Sequence, residues 1–255
     1  MGIVNITPDS FFDGGKFTAE HEALGRARKM LEEGADIIDI GAESTRPGSG
    51  QISAAEERNR LLAPLEAIRR QFPAAVISLD TWRGETAAFF LERGVEIIND
   101  ISGLHDPAMG PVLGEFRPGY VLTFNIAPFK ASSPVYDNVG DRAKAWFHDR
   151  LAELVRAGLP EENIVLDPGI GFGKNLAQNL ALLKNLGEFL EFGRPLLVGI
   201  SMKSWLGNLL DLPLTERSRA TATASALLWQ KGAFWHRVHE VKSAREALEL
   251  ACVLA

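Results

Sequence analysis

Three residues with hydrogen-bonding side chains each close an apolar run in this chain: Asp80 after Val76-Ile77-Ser78-Leu79, Asn99 after Ile97-Ile98, and Asp167 after Ile164-Val165-Leu166. Together they offer acceptors, and Asn99 is also a donor. Such a set suits a flat heterocycle that presents N–H groups along one edge, because buried hydrogen-bonding groups need partners. Other run ends carry cations: Arg46 after the second, Lys203 after the seventh, Arg237 and His239 at the last. Arg237 and His239 are two apart, so on a strand end both side chains point the same way. Arginine suits bidentate phosphate recognition, and a phosphate would account for two Arg and a His converging. Each residue also has a plainer reading. Asp80 and Asp167 would serve as helix caps, Arg237 as the partner of a nearby carboxylate, and Lys203 as a solvated charge.

These residues need a scaffold that brings run ends together. Short Ile-, Val- and Leu-rich runs predict strands at Gly2–Asn5, Asp36–Ile40, Val76–Asp80, Val95–Asn99, Tyr120–Phe124, Asn163–Asp167, Pro195–Gly199 and Phe234–Val238. Most lack polar alternation, as parallel strands covered on both faces do. Between them, helical periodicity predicts Ala19–Glu33, Ala54–Gln71, Gly84–Arg93, Pro107–Phe116, Asp141–Ala157, Leu176–Leu190, Glu216–Lys231 and Ser243–Val253. Gly34, Gly94, Gly158 and Gly232 follow helices where a left-handed cap is expected, and Ser53 with Glu56 reads as a capping box. Eight near-regular strand–helix units predict a single-domain α/β protein, a (β/α)₈ TIM barrel, ahead of an open doubly wound sheet. In a barrel, catalytic groups lie at the C-terminal strand ends. Those ends carry Asn5, Glu43 to Arg46, Asp80-Thr81, Asn99-Asp100, Asn125, Asp167, Ser201 with Lys203, and Arg237 with His239.

Composition narrows the partners. The chain has 255 residues, 46% hydrophobic and 24% charged, with a formal net charge of −6. That balance, without a Lys/Arg run, argues against nucleic acid, while a few cations focused in one cleft would still admit an anionic small molecule. No apolar run approaches the roughly 18 residues a bilayer demands, and a soluble, cytoplasmic protein is expected. The lone Cys252 is expected as a small buried hydrophobe. His105, His148 and His236 lack metal-ligand spacing and are read as structural or surface residues. Asp39, inside the second run, is read as a buried hydrogen-bonding residue. The run Asp167-Pro168-Gly169-Ile170-Gly171-Phe172-Gly173-Lys174 is neither a P-loop nor G-x-G-x-x-G; its glycines let backbone turn sharply beneath a ligand. Trp82 and Phe172 would either flank a planar ring or pack in the core.

The chain resembles the dihydropteroate synthase family along its length. The matching motifs are Gly2-Ile3-Val4-Asn5-Ile6-Thr7-Pro8-Asp9-Ser10-Phe11, Ile38-Asp39-Ile40-Gly41-Ala42-Glu43-Ser44-Thr45-Arg46-Pro47-Gly48, Ser78-Leu79-Asp80-Thr81 and Ile97-Ile98-Asn99-Asp100-Ile101-Ser102-Gly103. Asp167 to Lys174, Ser201-Met202-Lys203-Ser204 and Arg237-Val238-His239 complete them. The resemblance implies a (β/α)₈ barrel, a homodimer, and a transferase of folate biosynthesis. Its reaction would condense 6-hydroxymethyl-7,8-dihydropterin diphosphate with p-aminobenzoate and release pyrophosphate. It further implies that Asp80, Asn99, Asp167 and Lys203 hold the pterin. Asn5, Arg46, Arg237 and His239 would hold the diphosphate with Mg²⁺, Asn5 being the metal contact. Thr45, Pro47 and Ser201 would border p-aminobenzoate, and loops including Asp9, Phe11 and Asp13 would close over the site.

Three departures from the family pattern stand out. Met202 replaces the Arg usual before the seventh-strand Lys. Thr123-Phe124-Asn125 lies where a Met-His pair is usual, and Glu240 replaces the Asp usual after Arg-Val-His. They motivate the alternative of a non-catalytic pterin-binding paralogue. A methyltetrahydrofolate-type pterin-binding methyltransferase is a further alternative, although it has no need of the cationic cluster.

Overall fold

The computed structural model describes residues 1–6, 15–43, 51–128 and 136–254. Its eight strands are β1 (Gly2–Asn5), β2 (Ile37–Gly41), β3 (Val76–Asp80), β4 (Ile97–Asp100), β5 (Gly119–Thr123), β6 (Ile164–Asp167), β7 (Leu196–Val198) and β8 (Ala233–His236). They form one parallel sheet in chain order, each strand pairing with the next across a helical crossover. The edge strands also touch. Gly2 bridges in parallel to Val238, just past β8, and the Ile3 N–H donates to the Val238 carbonyl at 3.0 Å. Every predicted strand is present within one or two residues at its ends.

The helices among the described residues are α1 (Gly15–Glu32), α2 (Ala54–Gln71), α3 (Gly84–Leu91), α4 (Met109–Phe116), α5 (Val139–Ala157), α6 (Leu176–Lys184), α7 (Ser204–Leu210), α8 (Arg217–Trp229) and α9 (Val241–Leu254). Two differ from expectation. The helix predicted over Leu176–Leu190 stops at Lys184, and the chain tightens into a 3₁₀ helix over Leu186–Phe192. α7 is an extra helix between β7 and β8, seven residues long and too short to show a helical period. The glycines expected at helix ends, Gly34, Gly94, Gly158 and Gly232, all take positive φ. Ser53 accepts the Glu56 N–H at 3.1 Å, but Glu56 turns its carboxylate to Arg60 at 2.8 Å, so the reciprocal half of that capping box is missing. The full capping box is Asn175 with Gln178, opening α6.

The sheet separates two apolar groups. The larger lies between strands and helices and includes Ile38, Ile40, Leu79, Ile98, Leu122, Leu166, Phe90 and Phe147. The smaller is a set from successive strands, Ile37, Ile97, Val121, Val165 and Leu197, packed with Met1, Val76 and Trp235. Cys252 is exposed, against expectation: α9 turns its neighbour Ala251 inward, which aims Cys252 at solvent. No helix among the described residues is long and apolar enough to cross a membrane.

Candidate active site

Strand alternation converts that small apolar layer into a site. Side chains two residues apart share a face, so two steps beyond Ile37, Ile97, Val121, Val165 and Leu197 stand Asp39, Asn99, Thr123, Asp167 and Gly199. Val76 leads in the same way to Ser78 and Asp80, and Trp235 to Arg237. An apolar floor is thus covered by a polar layer at the C-terminal strand ends. The register puts Asp80 opposite Asn99 and Gly41 opposite Asp80.

Arg237 ties one side of this layer together. Its Nε donates to Asp39 at 2.6 Å and its Nη2 to Asp80 at 2.5 Å. Burial opposes the guanidinium charge, but Asp39 and Asp80 outweigh it and raise its pKa. Burial pushes the Asp80 carboxyl up to about 7; Arg237 pulls it down, and Asp39, Glu57 and Asp100 add to the rise. The carboxylate-partner reading of Arg237 is therefore realised. Although β8 ends at His236, the chain stays paired beyond it, with the Arg237 N–H donating to the Val198 carbonyl at 3.1 Å and Val238 bridging to Gly2, and Arg237 and His239 find different partners. His239 is exposed and meets Ser201, its N–H donating to Ser201 Oγ at 3.1 Å and its Nδ1 lying 3.0 Å from the same oxygen.

The other side is built on the glycine-rich run. Asp167 Oδ1 accepts the Gly169 N–H at 2.8 Å, and burial raises the Asp167 carboxyl while Lys203 opposes the rise. Gly169 has φ +67°, and a Cβ there would stand 2.2 Å from the Phe124 carbonyl, so only glycine fits. Lys203 reaches across to donate to the Ile170 carbonyl and lies 4.4 Å over the Phe172 ring. Burial lowers its pKa to about 8, against the pull of Asp167. It is no solvated surface charge. Beneath the run, Lys174 donates to the Phe124 and Gly169 carbonyls at 2.9 Å each, and burial lowers its pKa to about 7. Asn125 is buried and donates to the Ile101 carbonyl at 2.9 Å, while Asn5 ends β1 partly exposed.

A third cluster lies behind β3. Arg83 donates to Glu43 at 2.5 Å, to the Ile52 carbonyl at 2.5 Å, and lies 3.3 Å from Glu57. Glu57 also accepts from Thr81 at 2.9 Å and Thr86 at 2.6 Å, and burial raises its pKa. Trp82 donates its indole N–H to Glu43 at 3.3 Å under the Arg83 guanidinium. Glu43 and Ile52 flank residues 44–50. Asp9, Phe11, Asp13, Thr45, Arg46 and Pro47 lie outside the described residues.

Asp39, Lys174 and Arg83 are absent from the site expected from sequence. A charge inside an apolar run marked Asp39, and a cation closing a glycine run marked Lys174. Nothing local marked Arg83.

The description "pterin binding enzyme" fits the family model that matches residues 1–239. A dihydropteroate synthase of Haemophilus influenzae is 39% identical over 98% of this chain and 91% of its own. Among solved structures, the dihydropteroate synthase of Anaplasma phagocytophilum with bound 6-hydroxymethylpterin-monophosphate superposes with a TM-score of 0.91 at 33% identity, covering 100% of this chain and 98% of that one. That of Xanthomonas albilineans in complex with 7,8-dihydropteroate gives 0.90 at 33% identity, with 100% and 92% covered.

Proposed function

Because the chain belongs to the pterin-binding enzyme family, we propose that it is a dihydropteroate synthase, joining 6-hydroxymethyl-7,8-dihydropterin diphosphate to p-aminobenzoate in folate biosynthesis. One observation carries the reading: acceptors at the buried Asn99 and Asp167 and the part-buried Asp80 share a polar layer with the cations Arg237 and Lys203. A pterin needs the first set and a diphosphate the second.

The pterin ring lies on the apolar floor with its N–H edge toward Asp80, Asn99 and Asp167. Lys203, freed from the Ile170 carbonyl, covers the ring or its diphosphate. Arg237, His239, Arg46 and Asn5 hold the leaving group. The methylene C–O bond breaks, its electron pair departs with pyrophosphate, and the arylamine nitrogen forms the new C–N bond and releases a proton. Anchoring pyrophosphate lowers this barrier, and closure by the segments with Asp9, Phe11 and Asp13 keeps water from the cation. Thr45, Pro47 and Ser201 border p-aminobenzoate. No covalent protein nucleophile is needed.

Mg²⁺ fits as a passenger of the diphosphate. Among the described residues no three His, Cys, Asp or Glu side chains group to hold a metal, and Mg²⁺ commonly takes one or two protein oxygens plus phosphates. Asn5 would supply one oxygen; the ion's chemistry is to screen charge on the leaving group. We read residues 1–255 as one closed (β/α)₈ barrel domain, supported by the bridge between Gly2 and Val238. The homodimer is supported by the exposed Leu209, Leu210, Leu214 and Leu227 around α7 and α8. The setting is cytoplasmic.

The test is product formation from pterin diphosphate, p-aminobenzoate and Mg²⁺, with a sulfonamide competing against p-aminobenzoate. Folded protein that binds pterin yet makes no product would be a non-catalytic paralogue. Protein that does not bind pterin would end the reading.

A further inference from the structure

Asp39 has no exposed surface, so no substrate can touch it, yet both its oxygens are engaged by the polar layer. Oδ1 accepts the Ser78 hydroxyl at 2.6 Å. Oδ2 accepts the Asn99 amide at 3.2 Å and the Arg237 Nε–H at 2.6 Å. These donors come from β3, from β4 and from the segment after β8. We infer that Asp39 is the positioning residue of this site, fixing which way the Asn99 amide faces and where the Arg237 guanidinium points.

The argument turns on hydrogen-bond polarity. A carboxylate only accepts, so Asn99 must turn its nitrogen toward Asp39. What Asn99 can then offer a ligand is its oxygen beside its second N–H, in a fixed order. An acceptor beside a donor complements an amidine edge, a ring nitrogen next to an amino group, as Asn does with adenine. An amide free to flip would present that order reversed half the time. For Arg237, the bond from Nε to Asp39 and from Nη2 to Asp80 leaves Nη1 outside both pairs and sets the fork's plane. Loss of Asp39 would leave Asp80 as the carboxylate that the guanidinium hydrogen-bonds among the described residues, drawing the fork over the oxygens that face substrate.

The inference uses the pterin reading only to choose a probe. Asp39→Asn keeps the shape and removes the charge, and its amide N–H must oppose one of the three donors. Binding of 6-hydroxymethylpterin should weaken about tenfold or more, since a buried donor loses its acceptor. The groups acting on Asp80 are Arg237, Asp39, Glu57 and Asp100, with Lys203 nearby, and only Asp39 changes. The Asp80 titration, followed by its carboxyl ¹³C shift, should therefore move down by about one pH unit. That midpoint reports the lost Asp39 charge; a residue that merely supported the fold would lower stability while the pterin Kd of the folded variant stayed at the wild-type value. Should Asp39→Asn not fold, Ser78→Ala releases Oδ1 while keeping the charge, and pterin binding should weaken about three- to tenfold with the Asp80 midpoint unmoved. The inference is overturned if folded Asp39→Asn keeps the Asp80 midpoint, or if the pterin Kd of Asp39→Asn, or of Ser78→Ala in its place, stays within about twofold of wild type. Wild-type protein that ignores pterin would end the functional reading alone, because the Asp80 titration needs no ligand.

Discussion

Lys174→Met should destabilise the protein more at pH 9 than at pH 7. The ammonium lies almost wholly buried, donates to the Phe124 and Gly169 carbonyls at 2.9 Å, reaches the Phe172 carbonyl at 3.5 Å, and stands 4.6 Å over the Phe124 ring. It therefore pins the turn that follows Asp167 to the end of β5. Methionine keeps the stem's bulk and leaves two buried carbonyls without a donor, at ~1–3 kcal/mol each. Against this stands the cost of burying a charge. Burial lowers Lys174 to about 7, well below the ~10.4 of an unfolded chain. Between those values the unfolded chain binds more protons, so the wild type gains stability as pH rises. From pH 7 to 9 that gain is ~2 kcal/mol, and the variant lacks it. At pH 9 the neutral amine still donates to two carbonyls, and the loss on mutation should be ~2–4 kcal/mol. Urea unfolding of both proteins at the two pH values reads the difference directly. A gap that stays constant or narrows toward pH 9 would refute the reasoning.

His236 is buried with Nε2 2.7 Å from the Ala233 carbonyl, and burial lowers its pKa to about 4. Wild-type stability should rise from pH 4 to 6.5, by ~2–3 kcal/mol, and His236→Asn should flatten that slope in thermal melts. Arg83→Met should cost ~3–5 kcal/mol by leaving Glu43 and Glu57 without their cation. Because burial raises the Glu57 carboxyl, the cost should shrink as pH is lowered and Glu57 takes a proton, and a loss independent of pH would count against a buried ion cluster. Met202 has its backbone held by Arg217 and Thr221 and its side chain partly exposed. Met202→Arg should raise kcat/KM about fivefold at low salt and less as salt is added; no gain at low salt would show a pocket adapted to methionine.

The strands were legible because parallel strands covered on both faces must be mostly apolar, and β2, β4 and β6 are buried at every position. Their polar ends were legible for the same reason, since Asp167 breaks an otherwise apolar run. What escaped was pairing. Asp39 looked like a buried hydrogen-bonding residue, which it is, but its partner Arg237 lies 198 residues away and no local pattern links them. Arg237 and His239 were expected to act side by side; their partners differ, Asp39 and Asp80 for one and Ser201 for the other, and no local pattern shows that. Lys174 was not legible because glycines dominate the run before it, whereas the cation fastens the Gly169 and Phe124 carbonyls. α7 escaped because its seven residues are too few to display a period.

The two-residue step between the apolar floor and the polar layer also limits how the gene can change. Deleting one residue inside β6 would exchange Asp167 for Leu166 on the inner face and turn the acid toward the helices. Deleting two would restore the face but draw Asp167 down by about 6.6 Å, into the tier now filled by Val165. Neither a single nor a double frame-preserving deletion within a strand leaves the chemistry in reach. Length variation that keeps activity is therefore confined to the connections between strand and helix, and the spacing inside each strand is as much a part of the site as the residues themselves.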